Sequence, residues 1–227
     1  MLNSSFQRGL RDGAVLFLAV GAFGIGFGVL AVQAGLAAWL AVLSSVIVVS
    51  GAAQFTMVGL LASGAAPVLV ATTGLALRHV PMSARLAQLL GPRRLTTRVA
   101  MAWVLVDETF GMALHAADRG EEDLVSYKGA TDLVLYSGWV GGTALGAAMG
   151  DAIDPEQWGI DVFFPLIFLG LAAALVRTRR DWIVVGVATV AALGSTYVIP
   201  SAWRITGAAA AAALVGMAGP ERQAARE

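Results

Sequence analysis

Residues 13–77 read GAVLFLAVGAFGIGFGVLAVQAGLAAWLAVLSSVIVVSGAAQFTMVGLLASGAAPVLVATTGLAL and contain no Asp, Glu, Lys or Arg. One membrane crossing takes about 20 apolar residues, so this stretch is long enough for two helices and most of a third. Arg78 and His79 follow it, inside sequence that is still apolar. An ionisable residue at membrane depth is costly and usually belongs to a functional site. The stretch therefore predicts an integral membrane protein with a polar, functional centre.

The composition of the whole chain agrees with a lipid environment. Hydrophobic residues make up 58% and charged residues 13%, whereas a soluble domain is about 25% charged. The 15 basic and 15 acidic residues balance, and no basic tail is present, so we expect no nucleic-acid partner. The chain has no cysteine, which excludes thiol catalysis and cysteine-based metal sites. We expect no cofactor and no metal.

Eight apolar segments can be marked along the chain, and they predict an all-α, polytopic membrane protein. We expect a single transport domain over 1–227, with seven or eight transmembrane segments, some of them broken or re-entrant. Residues 1–12 are predicted to be a cytoplasmic segment and 219–227 a polar tail. The eight segments are 13–32, 37–61, 68–90, 97–114, 133–149, 160–176, 182–199 and 202–218.

The distribution of arginines predicts an orientation, because cytoplasmic loops are enriched in Lys and Arg. It places the N-terminal arginines, the 91–98 loop and the 177–181 turn in the cytoplasm, and the acidic 118–123 loop outside. Full crossing by every segment conflicts with this pattern. Either the third segment and one of the fifth or sixth are re-entrant or broken, at Pro81 and Pro165, or eight true helices ignore the charge bias. We favour broken helices.

Two glycine runs lie inside apolar segments, one with Gly24 and Gly28 and one with Gly142 and Gly146. They lack the preceding strand and following lysine of a nucleotide-binding loop, and close helix packing explains them better. Each run is followed along the chain by a tryptophan, Trp39 after the first run and Trp158 after the second. This similarity suggests an internal repeat, a common feature of transporters.

Three polar positions interrupt the apolar segments before the basic loop. Gln54 either forms an interhelical hydrogen bond or faces a cavity from an unwound turn. Arg78 keeps its charge and fits a carboxylate through two parallel hydrogen bonds, so its partner is either an acidic side chain or a substrate. His79 either relays protons near neutral pH or is a buried histidine with satisfied hydrogen bonds.

Asp107 and Glu108 lie within the fourth segment and supply the opposite charge. Neighbouring residues on a helix point about 100° apart, so one carboxylate can pair with Arg78 while the other faces a pathway. Either can carry a proton or meet a ligand ammonium. We predict substrate binding by Gly51, Gln54, Arg78, Asp107, Glu108 and Thr109, and proton relay by His79, Asp107 and Glu108.

Several of these motifs, taken in order, resemble the AzlC family, the large subunit of branched-chain amino acid exporters. The motifs are SGAAQF at 50–55, LRH at 77–79, DETF at 107–110, and DP at 154–155 followed by GIDVFFP at 159–165. The likeness runs from about Arg11 to Trp203. The chain departs from the family pattern at Ala76, Met82 and Val106.

The resemblance implies a multi-pass transport protein of the bacterial cytoplasmic (inner) membrane rather than an enzyme. It implies export of branched-chain amino acids together with a small AzlD-type membrane subunit. The absence of a nucleotide motif favours energy from an ion gradient, most simply protons. The alternatives are a channel, a scaffold subunit and an intramembrane enzyme, and the chain could also assemble with copies of itself.

Overall fold

The computed structural model describes residues 4–150 and 178–198, with short pieces between 152 and 216. Every regular element it describes is a helix, which confirms the predicted all-α class over these residues. A 3-10 turn at Leu61–Ser63 links the helix that ends at Leu60 to the one that begins at Ala65. The helices are α1 (Ser4–Gln33), α2 (Ala38–Val48), α3 (Gly51–Leu60), α4 (Ala65–Ala76), α5 (His79–Leu90), α6 (Leu95–Trp103), α7 (Asp107–Asp118), α8 (Leu124–Met149) and α9 (Arg179–Val198).

Helices α1 and α8 form the centre of the bundle and run parallel. The backbone of Gly9 lies against Tyr127, and that of Gly24 lies against Trp139. Further along, Gly146 lies against the Ile25 carbonyl group. The residue numbers rise together on the two helices, and the glycines let their backbones touch as they do in membrane helix pairs. The two glycine runs that suggested a repeat therefore pack against each other.

The second predicted segment is a hairpin rather than one helix. Val49 has a left-handed backbone (φ 42°) and Ser50 is extended, which ends α2 and starts α3. The side chain of Gln54 donates hydrogen bonds back to Ser44 and Ser45 at 3.0 Å each. On one straight helix, nine residues span about 13 Å, farther than a glutamine reaches. Helix α3 therefore turns back beside α2.

Helices α4 and α5 follow one another in the same direction, and the backbone is more tightly wound at the joint between them. Leu77 and Arg78 both keep right-handed helical angles, so α5 continues the direction of α4. The far end of α5 packs, through Leu86 and Leu90, in one cluster with Leu124 of α8. As one helix, residues 65–90 would span about 39 Å, more than the roughly 30 Å apolar core of a bilayer.

Helices α6 and α7 form a second hairpin, which enters from the other end of the bundle. The chain leaves α5 near the start of α8, and α7 returns there, because Ala113 and Ala116 pack in the same cluster as Leu124. Between them the chain reverses at Val106, which is extended and lies against the middle of α8. Two helical hairpins thus meet from opposite ends of the bundle.

The third segment is broken, as the sequence predicted. Leu77 and Arg78 separate α4 from α5, and they lie four and three residues before Pro81, where a proline removes a hydrogen bond to the preceding turn. The second and fourth segments, for which no break was predicted, form hairpins in the described part. Residues 4–12 belong to α1, because the helix starts at Ser4, and their cytoplasmic location stays a prediction.

The orientation expected for the 118–123 loop also changes. Arg8 pairs with Glu121 at 2.6 Å, so the N-terminal arginines and the acidic loop share one end of the bundle. They cannot lie on opposite sides of a membrane. The distribution of arginines predicted the wrong side for this loop, because its acidic side chains neutralise arginines of α1.

Two described helices are long and apolar enough to cross a membrane, Ser4–Gln33 and Arg179–Val198, and Ala38–Val48 and Gly51–Ser63 are shorter apolar helices. Helix α9 matches the seventh predicted segment, 182–199. The sixth and eighth segments, the break at Pro165 and the 219–227 tail lie largely or wholly outside the described residues. The number of crossings therefore stays a prediction.

Candidate functional site

The irregular joints of the three helix pairs meet at one cavity in the middle of the bundle. Its volume is about 230 Å³, and residues of α1 and α8 form part of its wall. The charged wall comes from the α4–α5 joint and the start of α7. The lining residues include Leu16, Val20, Phe23, Ser50, Gly51, Phe55, Arg78, Asp107, Glu108, Leu135 and Trp139. The cavity is mostly apolar with a few convergent charges, as in many sites for small molecules.

An ion pair forms the charged wall. Arg78 Nη1 lies 2.8 Å from Asp107 Oδ2, and both side chains remain partly exposed. The Nε of Arg78 is buried and has no hydrogen-bond partner within the described residues. Asp107 is thus the carboxylate that meets the guanidinium, while Glu108 lines the cavity without an ion pair there. The guanidinium keeps donors available for a second anion.

Helix termini add to the electrostatics of this wall. Helix α3 begins at Gly51 and α7 begins at Asp107, and no side chain caps either N-terminus. The first amide groups of a helix lack partners within it and favour an anion. The N-terminus of α7 already holds Asp107 and Glu108 in its first turn. The N-terminus of α3 carries no acidic residue there, so it is the stronger place for an anionic group.

Gln54 lies behind the cavity in a buried hydrogen-bond network. Its amide nitrogen donates to Ser44 and Ser45, and its oxygen accepts from Trp139 Nε1 at 3.1 Å. Ser45 in turn shares a 2.8 Å hydrogen bond with Thr143. Gln54 is 1% exposed and does not line the cavity. Its contacts hold α2, α3 and α8 together and fix the indole ring that forms the cavity wall.

His79 faces a different space. It lines a second cavity of about 360 Å³, with Thr72 of α4 and Trp103 of α6. Its Nδ1 lies 3.0 Å from the Ala76 carbonyl oxygen. Both cavities are lined by Val49 and Ser50. The unwound backbone between α2 and α3 is therefore a wall shared by two cavities, one with Arg78 and one with His79.

Thr109 is fully buried and belongs to neither cavity. Its hydroxyl approaches the Asp132 carboxylate, yet it makes no hydrogen bond of acceptable geometry among the described residues. Asp132 pairs with Lys128 one turn earlier on α8. Sequence reasoning missed this pair and placed the fifth segment only from residue 133. The four-residue spacing of opposite charges before an apolar run was the available signal.

A polar cluster closes the end of the bundle where α1 begins. Glu121 accepts hydrogen bonds from Ser5 at 2.7 Å and from Arg8 at 2.6 and 3.0 Å. The Arg8 hydrogen bonds hold the pKa of Glu121 at about 2, below its usual 4.5. Tyr127 donates a 2.9 Å hydrogen bond to Asp12. These contacts fasten α1 to the loop between α7 and α8 and to the first turn of α8.

Comparison with known proteins agrees with the resemblance in the motifs. The family described as AzlC protein matches residues 15–153. A protein of Archaeoglobus fulgidus called "Uncharacterized membrane protein" is 31% identical over 166 residues, which are 73% of this chain and 71% of the relative. No solved structure matches at a significant level. The matched region contains all the described cavity residues.

Proposed function

This chain belongs to the AzlC family of membrane proteins, and from this premise we propose that it exports branched-chain amino acids across the cytoplasmic membrane. It acts as the large subunit beside a small AzlD-type subunit, and an ion gradient, most simply of protons, drives it. The single observation that carries the proposal is an apolar cavity whose charged wall offers both signs to a zwitterion.

Arg78 and the start of α3 supply the positive side of this wall. Arg78 uses Nη1 for Asp107 and keeps a buried Nε without a partner in the described residues. The uncapped amides at Gly51 border the same cavity. Hydrogen bonds to an ionised group are about twice as strong as neutral ones. A substrate carboxylate would therefore bind between the guanidinium and α3.

Glu108 supplies the negative side. It follows Asp107 on α7 and lines the cavity without an ion-pair partner among the described residues. A substrate ammonium would meet this carboxylate. The remaining wall, with Phe23, Leu135 and Trp139, fits an aliphatic side chain. Pockets for drug-sized ligands measure about 300–1,000 Å³, so a cavity of about 230 Å³ suits a molecule of amino-acid size.

The second cavity would receive the substrate after it leaves the first. Val49 and Ser50 separate the two cavities, and broken helices at the centre of transporters commonly carry the binding site. A modest change at this joint would open one cavity and close the other. His79 lies on the second side, where a proton relay would act after release of the substrate.

The test is exchange of labelled leucine and valine across proteoliposomes that contain the chain with and without its small subunit. We expect saturable exchange that glycine and lysine inhibit poorly. Arg78→Gln should reduce exchange at least tenfold, because the carboxylate loses its main partner. Arg85→Gln is the matched control on α5, two turns beyond Arg78, since the hydrogen bond of Arg85 among the described residues is to Gln88, at 3.3 Å, and Arg85 lies outside both cavities.

Other outcomes point to the alternatives. Flux that rises linearly with leucine concentration indicates a channel. A subunit complex that keeps full activity with Arg78→Gln indicates a scaffold. An absence of leucine and valine exchange in every preparation would disprove the proposed substrate.

A further inference from the structure

Lys128 and Asp132 form a salt bridge inside the bundle that the substrate cavity does not use. Lys128 Nζ lies 2.8 Å from Asp132 Oδ1 and 2.6 Å from Oδ2. The two side chains are 0% and 3% exposed. A buried ion pair contributes little net stability because both charges lose their hydration. Ionisable residues within membrane helices commonly serve ion or proton movement instead.

The surroundings of the pair hold a second unusual group. Thr109 of α7 is 0% exposed, and its hydroxyl lies near Asp132 without a hydrogen-bond partner among the described residues. Thr109 directly follows Glu108, which lines the cavity. An unused buried hydroxyl is costly, so it is explained best if it gains a partner in another state of the protein.

Few other charged groups lie near the pair in the part of the chain that the structure describes. Helix α7 carries Asp107 and Glu108 just before Thr109, and α1 presents glycine backbone, with Asp12 bonded to Tyr127. Arg119 lies 3.7 Å from that Asp12 carboxylate. Helix α6 approaches through Met101, which lies near Gly129. Lys128 and Asp132 are therefore each other's direct charged partners.

We propose that the Lys128–Asp132 pair is the binding site of the coupling proton, an inference that rests on the proposed function. The ammonium contacts both carboxylate oxygens and so occupies the position that a sodium ion would need. A proton is the cation that this site can still exchange. Lysine suits the task because burial readily shifts its proton affinity, whereas arginine stays charged.

The exchange step can be written with all atoms accounted for. An N–H bond of the Lys128 ammonium breaks, its electron pair remains as the amine lone pair, and the proton passes to water from the cavity. Asp132 stays ionised and takes a hydrogen bond from Thr109, whose hydroxyl is unused in the present state. Reloading returns one proton to Nζ. Substrate bound at Glu108 shifts the first turn of α7, and this moves Thr109 relative to Asp132.

The test separates exchange from gradient-driven transport in the same proteoliposomes. Counterflow of labelled leucine measures exchange without a gradient, and an imposed pH difference measures stimulation of net movement. In the unaltered protein we expect both, with proton movement reported by an enclosed pH-sensitive dye. Lys128→Arg keeps the ion pair but cannot release its proton. The exchange rate of this variant should stay within about twofold of the unaltered protein. The stimulation of net movement by the pH difference should fall at least tenfold.

A double substitution provides an independent test. Lys128→Met with Asp132→Leu removes both charges together, which proteins often tolerate, and should also retain exchange and lose stimulation. Arg8→Gln with Glu121→Gln removes a pair at the end of the bundle, away from both cavities, and should keep both activities.

Each contrary result has a defined meaning. If a pH difference still stimulates net movement in either Lys128 variant, the pair is not the proton site. If both variants lose exchange, the pair has a structural role and the proposal is also overturned. If the unaltered protein exchanges leucine without moving protons, the transport function stands and this inference fails. If it exchanges no branched-chain amino acid, the proposed function fails and the inference fails with it.

Discussion

Substitution of two adjacent glycines on α8 tests the close packing of α1 and α8 on which the cavity depends. Gly142 is buried at the contact, and a Cβ there would overlap the Gly21 carbonyl oxygen and lie 3.0 Å from its carbonyl carbon. Gly141 is exposed, and a Cβ there would meet nothing within 4 Å. We therefore compare Gly142→Ala with Gly141→Ala.

The expected difference follows from two opposing effects. Alanine is favoured over glycine inside a helix by about 1 kcal/mol, and this gain is the same at both positions. At Gly142 the added methyl group meets backbone, which cannot rotate away, so the strain lies near the upper part of the about 1–3 kcal/mol range for overpacking. The variants should then differ by about 2–3 kcal/mol. For a chain of this size, that is a gap of about 4–12 °C in melting temperature.

The measurement is the apparent melting temperature of each detergent-purified variant, read from the monodisperse fraction that remains after heating. Gly141→Ala should melt at or slightly above the unaltered protein, and Gly142→Ala should melt several degrees below it. Leucine counterflow should follow the same order. Equal melting of the two variants, or a higher value for Gly142→Ala, would refute the backbone contact between α1 and α8.

Two further predictions concern the polar contacts that hold the bundle. Gln54→Leu should destabilise the protein by about 1–3 kcal/mol, because Trp139 Nε1 and two serine hydroxyls lose their buried partner, and thermal unfolding checks it. Glu121 has its pKa lowered to about 2 from 4.5 by Arg8, so its contribution to stability is complete above about pH 4.5 and lost as the pH falls towards 2. Glu121→Gln should reduce the pH dependence of the melting temperature over that range. Glu122→Gln should leave that pH dependence unchanged.

The sequence predicted which charged residues meet in the centre of the bundle. A long run without charges, interrupted by Arg78 and then by Asp107 and Glu108, required opposite charges to meet inside lipid, since an isolated charge there is costly. The structure brings Arg78 and Asp107 to 2.8 Å. Membership of the family was also evident in short ordered motifs, and three of them, at 50–55, 77–79 and 107–110, lie at the described joints.

The roles of Gln54 and His79 could not be separated by sequence. Each was compatible with a cavity or with a satisfied buried side chain. Gln54 bonds to three side chains from two other helices, and His79 lines a cavity on the far side of the Val49–Ser50 joint. These positions depend on contacts between distant segments, which local composition does not encode.

What the sequence determined by itself was the helical, apolar character of the described segments and the charges that must find one another, because lipid excludes unpaired polar groups regardless of the path of the chain. Tertiary structure decided which helices turn back. Val49 and Val106 reverse the chain without a proline, because packing against α8 stabilises backbone angles that no local signal requires. It also decided that Lys128 and Asp132 are buried, since the same spacing on an exposed helix would be an ordinary surface pair.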